Sequence, residues 1–192
     1  VFADGSHINI GESSFNTLNW LKTYTYVNCW HLSEHESEAM WKLYSKNITE
    51  SLVIKTNIDK LVGALPDGGI VEPVVYKNYD SDYVMTNYFL APFKTKRLAF
   101  SHEKELRVIY QEPPLKEFND NYKQFNKELV NNKLGKVVPL NGGVQQLIEE
   151  IRLSPFAPCW FESLIQDLLV KYGLEIPVTR SEISVAPFEL KS

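Results

Sequence analysis

Excess positive charge, a cysteine framework and long apolar runs are all absent from this chain. Lysine and arginine number 20 against 24 acidic residues, which leaves a formal charge of −4. An acidic chain has no global electrostatic pull toward DNA, RNA or an anionic membrane, so nucleic acid is not an expected partner. The two cysteines, Cys29 and Cys159, lie far apart, in Asn-Cys-Trp and Pro-Cys-Trp contexts. They are expected as buried free thiols in a reducing compartment, which points to the cytoplasm. No apolar run reaches the roughly 18 residues that a membrane helix needs, and no signal-peptide pattern is visible. No glycine-rich loop follows a strand, which excludes the dinucleotide-binding and P-loop fingerprints. Internal repeats are missing as well.

What is present suits a folded core. Hydrophobic residues make up 44% and charged residues 23% of 192, a globular balance with enough length for one domain and a small appendage. The expectation is a poorly defined N-terminal segment over 1–20 and a single globular domain over 21–192. The stretch from Val1 to Ser14 is polar and rich in small residues, and a further natural segment is expected ahead of it.

Strand and helix patterns alternate irregularly, which predicts an α+β fold with one mixed sheet, several helices and prominent amphipathic helices near the C-terminus. Tyr24–Leu32, Ser51–Thr56, Ile70–Tyr76, Leu106–Gln111 and Lys136–Leu140 read as strands. Ser33 and Glu36 have capping-box spacing and predict a helix through Tyr44. Asn57 or Thr56 caps a short helix ending near Leu65, and a loop with a short helix is expected over Lys94–Lys104. Phe118, Tyr122, Phe125 and Leu129 keep helical spacing, as do Val144, Leu147, Ile148 and Ile151. The last helix carries Trp160, Phe161, Leu164, Ile165, Leu168, Leu169 and Tyr172, with Pro158 at its first turn and Gly173 closing it.

Four groups of residues could carry chemistry. His31-Leu-Ser-Glu34-His35 matches an inverted zinc-protease pattern, but Ser33 as a helix cap would leave His31 outside the helix. A strand-end His31 and a solvated His35 explain the same residues without metal, and no metal is expected. Glu103 and Glu105, two apart on entering a strand, would share one face and stand close to Lys96, Arg97 and Arg107. Such a pair can orient a ribose and stabilise an oxocarbenium cation, or it can be an ion-pair cluster and nothing more. Trp30, Trp41, Tyr44, Tyr88 and Phe89 could stack on a base or build a core. Lys94, Lys96 and Arg97 could meet a phosphate or simply face solvent.

Several spaced elements resemble one family. They are YVNCWHLSEHESEAMWKLYS, SLVIKT, KTKRLAFSHEKELRVIY and RLSPFAPCWFESLIQDLLVKYGLEIPVTRSEI, covering about Tyr24 to Pro187. In this order they resemble the bacterial and phage-encoded family called domain of unknown function 2971. The resemblance implies a cytoplasmic defence or regulatory role, and it implies no particular chemistry.

The order of these elements is also similar to ADP-ribosyltransferases. That similarity implies NAD as cofactor, Glu105 as catalytic carboxylate, Glu103 positioning the acceptor and Ser33 supporting the site. Tyr44 would stack on nicotinamide, and Lys96, Arg97, His31 and Arg107 would complete the binding set. The earlier cofactor-holding residue of such folds could only be His7 here. The alternative is a non-catalytic binding or regulatory module for a protein partner. In it Glu103, Glu105, Arg97 and Arg107 form a structural ion-pair network, and the aromatic stretch from Tyr79 to Phe93 meets the partner. A metal-dependent nuclease built on Glu103-Lys104-Glu105 is a third reading. An enzyme predicts the two glutamates facing an open aromatic cleft, whereas a structural network predicts them paired and covered.

Overall fold

The computed structural model describes residues 18–82, 90–112 and 135–184. His7, Tyr88, Phe89 and the helix expected over Phe118–Leu129 lie outside them. The chain divides into two compact units, each made of two stretches: 1–32 with 68–137, and 33–67 with 138–192.

The first unit opens with α1 over 18–22 and β1 (Thr25–His31). It continues with β3 (Ile70–Pro73), β4 (Val75–Lys77), α4 (Ala91–Lys94), β5 (Thr95–Arg97), a 3-10 helix (Leu98–Glu103) and β6 (Glu105–Gln111). β6 lies between β1 and β3 and is antiparallel to both. Besides being paired at both edges, β6 is buried on both faces, and Leu106–Tyr110 accordingly reads as an apolar run broken only by Arg107. Pro73 ends the pairing of β3, and the chain resumes as β4, parallel to β5. The Ile70–Tyr76 stretch is thus two strands, because proline cannot donate to a ladder. Trp20, Leu21, Leu90, Phe93 and Ile109 form the apolar cluster of this unit.

The second unit holds α2 (Glu38–Tyr44), β2 (Leu52–Lys55), α3 (Ile58–Ala64), α5 (Gly143–Leu147), β7 (Glu150–Leu153), α6 (Cys159–Tyr172) and β8 (Val178–Arg180). β7 is central, antiparallel to β2 and parallel to β8. Ile151 and Leu153 point to one face, where Ala157, Phe161, Ile165 and Ile176 cover them. Among the described residues, no helix is long and apolar enough to cross a membrane.

The α+β class is as expected, but the strands of the described residues form three small sheets rather than one. Other differences are local. The helix before Tyr44 is capped by Ser37, which accepts from the Met40 N–H at 3.4 Å. Ser33 and Glu36 therefore form no capping box, and Glu36 is free for other partners. The expected helix through Ile151 stops at Leu147, because Glu150-Ile-Arg-Leu alternates charged and apolar residues and pairs with β2. Residues 136–140 pair in no strand. Both cysteines are exposed rather than buried.

α6 ends as its sequence predicts. Gly173 adopts φ 65°, and the Leu174 N–H reaches back to the Leu169 carbonyl at 2.9 Å. That closure needs a left-handed residue, which a Cβ disfavours. Gly173→Ala should lower the unfolding free energy by about 1 kcal/mol, read by urea titration at unchanged slope.

Candidate functional site

Six of the sequence-chosen residues meet on the first unit. Alternation along β6 turns Glu105 and Arg107 to one face, and register sets His31 opposite Glu105 and Cys29 opposite Arg107. On the other flank Glu72 of β3 stands opposite Arg107. Glu103 enters from the 3-10 helix, which closes on Lys104 in the left-handed region at φ 42°. The Leu32 N–H donates to the Lys104 carbonyl at 2.8 Å and holds that turn against the end of β1.

Lys96 is the centre of the cluster. Its ammonium donates to Glu103 Oε2 at 2.5 Å and to Glu105 Oε1 at 2.6 Å. Arg107 Nε donates to the other oxygen of Glu105 at 2.7 Å, and its Nη1 to the Phe93 carbonyl at 2.6 Å. Lys94 bonds Glu72 at 3.2 Å, extending the chain of alternating charges. The two central glutamates are only 7% and 8% exposed. His31 Nδ1 lies 2.6 Å from the Glu103 carbonyl; a carbonyl only accepts, so Nδ1 carries the proton. The Glu105 N–H donates to Tyr76 Oη at 2.8 Å.

The electrostatics follow from this packing. Burial works to raise the Glu105 carboxyl, but hydrogen bonds with Glu103, Lys96 and Arg107 outweigh it and bring it down to about 2. Burial likewise opposes the charge of Lys96 and of Arg107, and their carboxylate partners overcome it, so both are held above their ordinary values. Cys29 is exposed as a residue, but partial desolvation of its thiol beside the cluster and the Glu105 charge push the thiol up, against the pull of Arg107.

Arg97 departs from the expected network. Its guanidinium stacks 4.8 Å over the Tyr79 ring at the surface and contacts neither glutamate. Ser33 and Tyr44 fall in the second unit. Ser33 closes a local turn with His35, donating to its carbonyl at 2.9 Å, and Tyr44 is an exposed residue at the end of α2. His31 ends β1 and His35 precedes α2, so the two do not share a helical face. Among the described residues, no group of three metal-binding side chains gathers.

A second polar cluster, in the other unit, was not anticipated from the sequence. Glu36 Oε1 accepts from Arg152 Nη1 at 2.7 Å and the Glu182 N–H at 3.0 Å. Its Oε2 accepts from Ser181 Oγ at 2.5 Å and Trp41 Nε1 at 3.1 Å. Burial opposes ionisation of Glu36, yet these donors hold its carboxyl below the usual range. Arg152 also pairs with Glu150 at 2.8 Å, and Glu150 with Lys55 at 3.2 Å. Both oxygens of Glu36 are saturated, so the cluster works as a clasp joining α2, β7 and the stretch after β8. The one signal in the sequence was the alternation of Glu150 and Arg152, which helical spacing masked.

No protein-family model, curated protein or solved structure matches this chain.

Proposed function

We propose that this chain is a non-catalytic binding or regulatory module, in which Glu103 and Glu105 hold the first unit together. A single observation carries the reading: both oxygens of Glu105 are taken by cations, and both glutamates are covered. A transferase carboxylate must face a developing oxocarbenium ion and lend it negative charge. Glu105 gives that charge to Lys96 and Arg107 instead. A nuclease needs a cation-sized space between its carboxylates, and here the Lys96 ammonium fills it. Beside the cluster, Tyr79, Leu98 and Phe100 are exposed and offer apolar surface to a protein partner. The family resemblance suggests a bacterial or phage cytoplasm as the setting.

A thermal-shift titration with NAD on wild type and Glu105→Gln tests this. A specific ligand at a hundredfold excess over its Kd would add about 2.7 kcal/mol by mass action. The expected result is no NAD-dependent shift in either protein. A shift in wild type that the substitution abolishes, with nicotinamide released, overturns the reading in favour of a transferase.

A further inference from the structure

We infer that the free edge of β2 is a self-association site, where a second copy of this chain pairs antiparallel about a two-fold axis through Val53. The first ground is backbone geometry. The carbonyls of Ser51 and Lys55 accept from Ser154 and Glu149, so these residues turn their backbone groups toward β7. Alternation then turns the N–H and C=O groups of Leu52 and Ile54 outward, away from β7. No hydrogen bond of the described residues meets them. An outward row of this kind accepts an extended strand.

The second ground is what flanks the edge. Leu52 pairs with Leu153 and Ile54 with Ile151, so both face the side that α6 covers. Yet they remain 37% and 41% exposed, while Leu153 is 0%. α6 leaves this margin open. Arg180 of β8 bonds Glu162 and contacts Cys159, which sets that flank of α6 toward β8. Trp160, Leu164 and Leu168 lie on the opposite flank, and the strand order places β2 there. All three are exposed. An apolar strip thus runs from α6 down to the β2 edge.

A second copy fits this edge in a way an arbitrary strand does not. With the axis on Val53, Leu52 of one copy exchanges hydrogen bonds with Ile54 of the other, and the reverse. Lys55, which also pairs with Glu150 of its own copy at 3.2 Å, then faces Ser51 and approaches the end of the strand that follows the exposed Glu50. Parallel pairing would set lysine against lysine and glutamate against glutamate. A two-fold normal to the sheet also puts both α6 helices on the same face. Strands ~4.8 Å apart leave the helices over the two β7 strands roughly 14 Å apart. Trp160, Leu164 and Leu168 from each copy would line that space, covering Leu52 and Ile54 of both. An isolated peptide strand would satisfy the backbone and leave the strip bare.

The test is sedimentation equilibrium on the full chain with two variants. At about 100 µM a dimer of micromolar Kd is mostly associated. The expected result is a concentration-dependent dimer for wild type and a monomer for Ile54→Pro, which removes an outward N–H that no fold contact uses. Val53→Cys lies on the axis, where antiparallel partners come close enough for a disulfide. It should cross-link on oxidation far faster than wild type, whose Cys29 and Cys159 set the background, and faster than Leu52→Cys. A wild type that stays monomeric while Val53→Cys cross-links no faster than background overturns the inference. So does a dimer that survives Ile54→Pro, or a monomer that binds a peptide copying residues 50–56.

Discussion

Glu36→Ala is expected to lower the unfolding free energy by about 3 kcal/mol, with the loss read from urea titration near neutral pH. The reason is what the substitution leaves behind. Arg152, Trp41 Nε1, Ser181 Oγ and the Glu182 N–H all lose their acceptor at once. Ser181 is 1% exposed, so water cannot simply replace the carboxylate there. Each hydrogen bond to a charged group contributes about 1.5–3 kcal/mol, but neighbouring bonds overlap and do not add. Glu36→Gln should fall between wild type and alanine, since an amide keeps one acceptor and brings donors to face donors. An alanine variant within about 0.5 kcal/mol of wild type would mean that the clasp is ornamental.

Glu105→Ala should show a loss of similar size that depends on pH. The folded Glu105 carboxyl lies near 2, below the ordinary 4.5. A carboxyl depressed by folding stabilises the protein above its unfolded value, and the contribution fades as pH falls toward the folded value. The window is therefore about pH 5 down to 2, and a depression of this size corresponds to about 3 kcal/mol. Wild type should lose that stability on acidification, and the variant should start lower and titrate less steeply. Parallel acid profiles for the two proteins would show that Glu105 is not the group that Lys96 and Arg107 hold ionised.

The two clusters differ in how far the sequence disclosed them. Glu105 and Arg107 were visible as charges at strand spacing, with Glu103 two residues ahead of Glu105. Their role stayed open between a catalytic pair and an ion-pair network, because spacing does not encode whether a carboxylate ends up covered, nor that Lys96 rather than Arg97 takes both glutamates. Glu36 was hidden differently. Its donors Arg152 and Ser181 lie 116 and 145 residues downstream, and the local capping-box pattern offered a nearer but incorrect explanation. β6, α3 and α6 were legible because burial on both faces, an asparagine cap and a closing glycine each leave a local mark. β7 was not, because Ile151 satisfies the helical spacing begun at Val144 and the strand alternation with Leu153 equally well.

The division of the chain carries a consequence for how the protein is made. Each unit is assembled from two separated stretches, and the stretches interleave. When a ribosome has completed residue 112, β1, β3 and β6 are all present, but β2 still lacks β7, its central partner. Residues 33–67 must wait, with the apolar Leu52-Val53-Ile54 segment unpaired on both edges, until residue 153 emerges. At about 5–20 residues per second that interval lasts roughly 4–17 seconds, long enough for strand-edge contacts with neighbouring chains. No single truncation can free either unit whole, and a stop between residue 137 and β7 leaves the first stretch of the second unit enclosed within the sequence of the first.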